Sequence, residues 1–294
     1  HPDYASTRYA LAESGLPAIA VQHHHAHLAS CLAEHGSREP AIGVIFDGIG
    51  FGDDGQAWGG EFLVGDLCNY LRAGHFRELP MPGGDLAVRE PWRMALSCLL
   101  TAFGDVPEDS PVFATIDPAT LRLVAQAVTK MINAPLTSSC GRLFDGAAAL
   151  LGLQQTVTFE GQAAMALEMV ADPAAEQCYP FELISDQMRL VVDQRPLIKA
   201  LYCDRLAGVP VSQIAGKFHR TLAEIVLEVC SELRNQTGLS RVVLSGGVFQ
   251  NRLLTELAAR RLQHGGFTVL QHSLVPPNDG GLALGQAVIA GHLS

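Results

Sequence analysis

A run of four histidines in five residues is the feature of this chain with the clearest chemical potential. The run reads His-His-His-Ala-His over residues 23–27 and follows the apolar residues 18–21. His23 and His27 are four residues apart, so on a helix their imidazoles lie one above the other on the same face. Two imidazoles at this spacing form half of a metal site, as in helical zinc sites. We therefore predict that His23 and His27 bind a metal ion, whereas His24 and His25 point elsewhere.

The alternatives for this run are a surface or helix-capping cluster and the remnant of a tag. A tag lies at a terminus, whereas this run continues into Leu28, Cys31 and Leu32 in the spacing of an amphipathic helix. The continuing pattern favours the metal site.

Three glycine-rich turns supply a second kind of chemistry. Residues 47–55 hold three aspartates and four glycines after a buried strand at 41–47, and residues 245–247 and 278–281 read Ser-Gly-Gly and Asn-Asp-Gly-Gly. Such turns let backbone N–H groups approach a phosphate, or let carboxylates converge on a cation. For 47–55 the alternative is an ordinary Asp-Gly hairpin, which the length of the run makes less favourable.

Asp47 and Asp279 are the carboxylates that we expect to join the two histidines. Two histidines with one or two carboxylates suit iron or zinc and leave positions open for water or a substrate oxygen. A metal beside a nucleotide phosphate polarises a carbonyl or phosphoryl oxygen and neutralises charge on a departing phosphate.

Composition limits the class of protein. The 294 residues are 48% hydrophobic and carry 20 basic and 30 acidic side chains, a net charge of −10, which argues against nucleic acid and anionic membranes as partners. Seven scattered cysteines without a CxxC pair predict reduced thiols in a cytoplasmic protein. No apolar run approaches a membrane span and no signal peptide opens the chain. The chain starts at His1 without an initiator methionine, so we expect it to be part of a longer protein.

The elements that must position these residues alternate between strands and helices, which predicts an α/β protein with its site in a cleft between two lobes. We expect a first lobe of residues 1–85 plus 272–294 and a second lobe of residues 86–271. Apolar periodicity predicts strands at 18–22, 41–47, 58–65, 70–79, 181–193, 241–244 and 267–271, and helices near 6–14, 23–36, 91–103, 118–132, 142–151, 161–170, 212–235 and from 282 onward.

Seven motifs follow one another along the chain: HHHAH at 23–27, DGIGFGDDG at 47–55, WGGE at 58–61, SSCGRLFD at 138–145, EGQA at 160–163, SGGVFQN at 245–251 and NDGG at 278–281. In this order they resemble the carbamoyltransferases of the HypF family, which serve the maturation of nickel–iron hydrogenases. The match is to the family's C-terminal domain. The resemblance implies the two-lobed actin/Hsp70/sugar-kinase fold, shared with tRNA threonylcarbamoyl transferases and antibiotic O-carbamoyltransferases.

The resemblance also implies a reaction and its partners. An upstream domain of the same protein makes carbamoyl-adenylate, and this domain transfers the carbamoyl group to the C-terminal cysteine of the partner HypE, toward the cyanide ligands of the hydrogenase. One metal ion, iron or zinc, is held by His23, His27, Asp47 and Asp279, and Mg²⁺ is a further candidate ion. The expected contacts to the ATP or AMP moiety are Gly48, Gly50, Ser139, Gly141, Arg142, Asp145, Glu160, Lys217, Gly246, Gly247, Asn251 and Gly280. Without the upstream domain, we expect no synthesis of carbamoyl-adenylate from carbamoyl phosphate.

Other functions stay open at this point. One is O-carbamoyl or tRNA threonylcarbamoyl transfer, although the charge balance and the HHHAH and DGIGFGDDG forms disfavour tRNA. Another is a sugar-kinase-like or chaperone-like ATPase, which would not need the histidine pair. The third is a non-catalytic nucleotide-binding domain that docks HypE. Individual residues also have simpler roles: an ion pair within its helix for Asp145, and packing for His219 and Trp58.

Overall fold

The chain builds helices around one mixed β-sheet. The structure is a computed structural model that describes residues 5–12, 15, 18–106, 110–186 and 189–293. The strands in this part of the chain are β1 Ala41–Phe51, β2 Ala57–Gly65, β3 Tyr70–Phe76, β4 Leu79–Pro80, β5 Leu136–Thr137, β6 Glu182–Asp186, β7 Arg189–Asp193, β8 Arg241–Ser245 and β9 Thr268–Gln271. The α-helices are α1 Ala5–Ala12, α2 His23–Glu34, α3 Leu86–Arg89, α4 Pro91–Phe103, α5 Pro118–Thr129, α6 Cys140–Leu150, α7 Gln162–Val170, α8 Arg195–Leu206, α9 Val211–Thr237, α10 Arg252–His264 and α11 Leu282–Leu293.

The strand order of the sheet brings the predicted turns to one edge. The order is β6-β7-β3-β2-β1-β8-β9, with β5 joining β4 to β2. Strands β1, β2 and β3 form an antiparallel meander, whereas β8 runs parallel to β1 with Ile45 opposite Ser245. Because parallel strands end at the same edge, Asp47 and the Gly246–Gly247 turn become neighbours.

Residues 41–46 of β1 are apolar because this part of the strand is covered on both faces. Ile42, Val44 and Phe46 pack into the larger core with α4, α6 and α9. Ala41 and Ile45 point the other way, into a smaller core with α2 and α11. Alternate residues of one strand therefore serve two cores, as expected for the central strand of a sheet between two helical layers.

Two predictions for local structure are wrong. Residues 18–22 form no strand and are exposed or half-buried; no neighbouring strand pairs with them, and Gln22 is extended because it caps α2. Residues 47–55 form the hairpin that the length of the run disfavoured: β1 continues to Phe51, and a tight turn follows, with the Gly52 N–H donating to the Gln56 carbonyl at 2.9 Å. The register of β1 against β2 shifts between Phe46 and Gly50. Asp47 lies within this irregular part of the strand.

The other predicted strands and helices are present, with ends shifted by a few residues, but two predicted strands are divided. The stretch 181–193 holds the antiparallel strands β6 and β7, and the stretch 70–79 holds β3 and the start of β4. The last residues of the first predicted helix, 13 and 14, lie outside the described part of the chain. Strands from both expected lobes pair within the one sheet, β3 with β7 and β1 with β8. The division into lobes at residues 85 and 271 stays a prediction. Within the described ranges no helix is long and apolar enough to cross a membrane.

Close packing of α11 on α2 supports the histidine helix, and Gly285 makes it possible. A Cβ at Gly285 would clash with the carbonyl oxygen of Ala26 on α2. At Gly291, on the same helix, an added Cβ would have no atom within 4 Å.

We predict that Gly285→Ala destabilises the fold by about 1–3 kcal/mol, because the backbone of α2 must move to admit the methyl group. Gly291→Ala serves as the matched control and should be neutral or stabilising by up to about 1 kcal/mol through helix propensity. Urea unfolding followed by circular dichroism measures both. Equal effects of the two substitutions would contradict the packing argument.

Candidate functional site

The histidine pair is placed by the start of α2. The side chain of Gln22 accepts a hydrogen bond from the backbone N–H of His25 at 2.9 Å and so caps the helix. The helix then places His23 and His27 on one face, with ring centroids 4.9 Å apart and the rings edge to face. His25 points away from this pair, with its Nε2 2.8 Å from the Asp66 carbonyl. His24 lies beside the pair, with its ring centroid 5.1 Å from that of His23 and 5.6 Å from that of Trp58.

Asp47 faces the histidines from the irregular part of β1. Its Oδ2 lies 3.0 Å from Nε2 of His23 and 3.6 Å from Nε2 of His27. Its Oδ1 accepts a hydrogen bond from the backbone N–H of Gly247 at 2.9 Å. The turn after β8 thus fixes the carboxylate that ends the regular part of β1.

Asp279 completes the cluster from the far end of the chain. It begins the short 3₁₀ turn Asp279–Gly281, and its Oδ1 lies 3.5 Å from Nε2 of each histidine. One ligand atom from each of the four residues lies within 4.8 Å of the others. Nε2 of His27 is buried and has no hydrogen-bond partner among the described residues. An orphaned imidazole nitrogen between two carboxylates fits a divalent metal such as iron or zinc.

The imidazoles and the carboxylates of the cluster shift one another's pKa values in opposite directions. Burial alone would raise the pKa of Asp47, but His23 and His27 outweigh it and hold that pKa well below its usual range. Burial alone would lower the pKa of His27, but the carboxylates of Asp279 and Asp47 raise it to about 9. The two carboxylates therefore stabilise a positive charge beside them. Without a metal this is the proton on His27, and a metal cation would replace that proton.

A cavity of about 350 Å³ adjoins the cluster and shares Asp47 and Asp279 with it. Seven further predicted residues line this cavity: Gly48, Gly141, Arg142, Asp145, Glu160, Gly247 and Gly280. Six other lining residues were not predicted from the sequence: Ile49, Gly161, Ala164, Val248, Gln250 and Asn278. All but Ala164 lie inside the seven motifs, so the complete motifs would have predicted the other five. Ala164 comes one residue after such a motif, in the first turn of α7.

Helix α6 approaches β1 closely at its start. Ser139 caps the helix, with its Oγ accepting from the Arg142 N–H at 3.1 Å, and the same hydroxyl lies 3.0 Å from the Asp47 carbonyl as donor. A Cβ at Gly141 would lie 2.9 Å from the Gly48 Cα. Ser139 and Gly141 thus hold α6 against the strand that carries Asp47.

Arg142 and Asp145 form a buried ion pair in the cavity wall. Nε of Arg142 lies 2.8 Å from Oδ2 of Asp145, and both residues are at most 3% exposed. Burial raises the pKa of Asp145 to about 6, against the opposing effect of Arg142. Nη1 of Arg142 has no hydrogen-bond partner in the described structure. The pair is the expected ion pair within a helix, and it also presents an unsatisfied donor to the cavity.

Five predicted nucleotide contacts do not line the cavity. Gly50 packs against the rings of His23 and His24, and Gly246 has φ +100° where a Cβ would clash with the Phe46 carbonyl. Ser139 acts as the cap described above. The two others have partners elsewhere: Lys217 pairs with Asp204 at 3.0 Å, and Asn251 caps α10 and contacts His219.

Three further residues are buried, and for Trp58 and His219 this agrees with the packing role considered above. Trp58 is 3% exposed, and Glu61 is fully buried with its Oε2 accepting from Nε of Arg72 at 2.6 Å. His219 is fully buried between the Ala215 carbonyl, 2.7 Å from its Nδ1, and Asn251, 2.9 Å from its Nε2. None of the three lines the cavity.

Comparison with known proteins decides the family. The family described as "Carbamoyltransferase, Kae1-like Domain, second subdomain" matches residues 43–286, and the "HypF Kae1-like domain" matches residues 1–34. The chain belongs to the HypF carbamoyltransferase family. It is 44% identical to carbamoyltransferase HypF2 of Cupriavidus necator over 319 residues, covering 99% of this chain and 39% of that protein. A HypF homolog of the same organism is 40% identical, with 99% of this chain and 76% of that protein covered.

Solved structures confirm the expected α/β fold. A crystal structure of full-length HypF in the phosphate- and nucleotide-bound form superimposes with a TM-score of 0.94 at 41% identity, covering 100% of this chain and 38% of that one. The crystal structure of T. kodakarensis HypF gives a TM-score of 0.86 at 30% identity, with 99% and 39% covered. The chain thus spans about two fifths of the length of these HypF proteins.

We predict that His23→Ala and His27→Ala each lower the bound metal at least about tenfold, because each removes one of four ligands. Metal analysis of the purified proteins measures the loss, and circular dichroism checks the fold. His25→Gln is the matched control within the same histidine run and should keep the metal. Metal that is indifferent to both alanine substitutions would contradict the assignment of the ligands.

We predict a stability effect of pH at His219. Burial lowers its pKa to about 4, so the folded state stays neutral where the unfolded state, with a pKa near 6.5, takes up a proton. Stability is therefore present above pH 6.5 and is lost as the pH falls toward 4, by about 1–2 kcal/mol between pH 6.5 and 5. Urea unfolding across this range should show a shallower pH dependence for His219→Gln. Parallel curves for the two proteins would contradict the prediction.

Proposed function

We propose that this chain transfers a carbamoyl group from carbamoyl-adenylate to the C-terminal cysteine thiol of HypE, in the maturation of nickel–iron hydrogenases. The supporting observation is that Asp47 and Asp279 belong both to the four-residue ligand cluster and to the cavity wall. A molecule in the cavity would therefore touch the metal centre. Neither a sugar kinase nor a simple docking domain needs this shared wall.

The cavity has the size and the surfaces for a nucleotide. Its volume of about 350 Å³ falls within the range of small-molecule sites. Gly48, Gly247 and Gly280 bring backbone, without side chains, to its wall. Arg142 adds a buried guanidinium with a spare donor. These features support the AMP moiety of carbamoyl-adenylate, or ATP, as the ligand.

The proposed reaction needs orientation and charge stabilisation more than it needs a protein nucleophile. The sulfur of the acceptor cysteine attacks the carbamoyl carbon as a thiolate, after its proton passes to solvent. A C–S bond forms, the C–O bond to the phosphate breaks, and AMP leaves with the electron pair. His23, His27, Asp47 and Asp279 would hold the metal, iron or zinc with Mg²⁺ as a further candidate, and it would supply Lewis-acid stabilisation of the developing negative charge. The cavity residues hold the adenylate in line for the attack.

The chain's own cysteines do not serve as the acceptor. None lines the cavity within the described part of the chain, and Cys31, Cys98, Cys140 and Cys230 are buried. Burial raises the pKa of the Cys31 and Cys98 thiols to about 12, which disfavours the thiolate. The acceptor thiol must then come from a partner, and HypE is the partner that we propose. The carbamoyl-adenylate would come from an upstream domain of the same full-length protein, in the cytoplasm.

The test supplies the chain with synthetic carbamoyl-adenylate and HypE, and mass spectrometry follows carbamoylation of the HypE terminus. We predict transfer by the wild-type chain and a rate at least about 100-fold lower for Asp279→Asn, because one ligand of the stabilising cation is lost. Asp66→Asn, which alters a carboxylate in the β2–β3 turn, should leave the rate unchanged. HypE without its last cysteine should accept nothing.

Two results would contradict the proposal. One is equal transfer by the wild-type and Asp279→Asn chains, since the metal cluster would then be irrelevant. The other is tight binding of AMP with no transfer, which would favour the docking-domain function instead.

A further inference from the structure

The face of α2 that carries the histidine pair continues past it to the end of the helix. His23, His27, Ser30 and Glu34 follow one another at spacings of four, three and four residues. Residues at these spacings form a single stripe along a helix. Every member of the stripe contacts the segment 272–281, which carries Asp279.

Glu34 makes several hydrogen bonds to the beginning of that segment. Its Oε1 accepts hydrogen bonds from the backbone N–H groups of Ser273 and Leu274 and from the Ser273 hydroxyl, each at 2.7 Å. Its Oε2 lies 3.1 Å from Nδ1 of His272. The Glu34 side chain is only 4% exposed. Burial alone would raise the pKa of Glu34, but these hydrogen bonds lower it to about 2, so the carboxylate is charged and the bonds are charge-assisted.

The segment is also held on the other side of Asp279. The hydroxyl of Ser30 donates to the Gly281 carbonyl at 2.8 Å in a buried contact. Asp279 lies between these two attachments with a side chain that is 69% exposed. Packing around its own side chain therefore does little to aim it. The backbone attachments must do so.

We propose that Glu34 is a positioning residue for the metal centre: it binds the 272–275 segment to α2 so that the Asp279 carboxylate meets His23 and His27. The inference rests on the proposed metal centre and extends it to a residue outside the ligand set. Glu34 touches none of the four ligands. It acts by holding Asp279 in the ligating arrangement before the metal arrives, which lowers the ordering cost of binding.

The test measures the Zn²⁺ affinity of the metal-free chain by competition with a chromophoric chelator. Glu34→Gln keeps the size of the side chain and removes the charge that the N–H groups bind, and we expect roughly tenfold weaker Zn²⁺ binding. The absorption spectrum of the Co²⁺-loaded protein should change as well, because the Asp279 ligand shifts. Asp66→Asn is the matched control, since Oδ1 of Asp66 accepts from the Cys68 and Asn69 N–H groups at 2.7 and 2.9 Å in a different turn. It should bind Zn²⁺ like the wild type.

A double-mutant cycle separates positioning from general destabilisation. If Glu34 acts through Asp279, Glu34→Gln should cause no further loss of affinity in an Asp279→Asn background. An equal loss in both backgrounds would overturn the inference, as would wild-type affinity in Glu34→Gln. Ser30→Ala, which loosens the other attachment, should give a smaller loss and allows the test if Glu34→Gln does not fold. A wild-type chain that binds neither Zn²⁺ nor Co²⁺ would contradict the metal centre itself, a result distinct from failure of Glu34 alone.

Discussion

Asp47 brings a negative charge to a position that is only 6% exposed, at the point where β1 loses its regular register. A buried carboxylate is costly unless hydrogen bonds and opposite charge surround it. Its partners come from two other segments: the N–H of Gly247 after β8, and the imidazoles of His23 and His27 on α2. Removal of either segment would leave the charge uncompensated. The parallel pairing of β1 with β8 and the packing of α2 beside β1 are therefore conditions for the site, and not only parts of the fold.

Close backbone approach explains the glycines around this carboxylate. Gly246 has φ +100°, a conformation that residues with a Cβ rarely adopt, and a side chain there would clash with the Phe46 carbonyl. Without this glycine the Gly247 N–H could not reach Asp47. On the other side, Gly141 lets the start of α6 approach Gly48, and the Ser139 hydroxyl lies beside the Asp47 carbonyl. The proposed metal ligand Asp47 is thus joined through its own backbone to the helix that carries the cavity's Arg142.

Local sequence predicted those parts of the site that depend on one element. The spacing of His23 and His27 predicted a shared helical face, and the apolar run before Asp47 predicted a strand end. Asp279 lies near these residues only through the tertiary fold, so no spacing rule could pair it with them; the sequence offered it only as a carboxylate in a glycine-rich turn, and the resemblance to a family supported the assignment. The errors have the same origin. Residues 18–22 had the composition of a strand but no neighbour to pair with, and the many glycines of 47–55 disfavoured a hairpin that the pairing of β1 with β2 nevertheless forms.

The balance of charge in the cavity wall links the proposed cation to the proposed binding of a nucleotide. The wall contains four carboxylates, those of Asp47, Asp145, Glu160 and Asp279, against the single guanidinium of Arg142. Arg142 is already paired with Asp145. A phosphate that enters this wall meets net negative charge, and in a partly buried site such repulsion is weakly screened. A divalent ion between Asp47 and Asp279 reverses the local sign where the cavity and the cluster meet. The proposed metal centre would therefore have two electrostatic effects. It would compensate the buried charge of Asp47, and it would reduce the repulsion between the acidic cavity wall and an anionic adenylate.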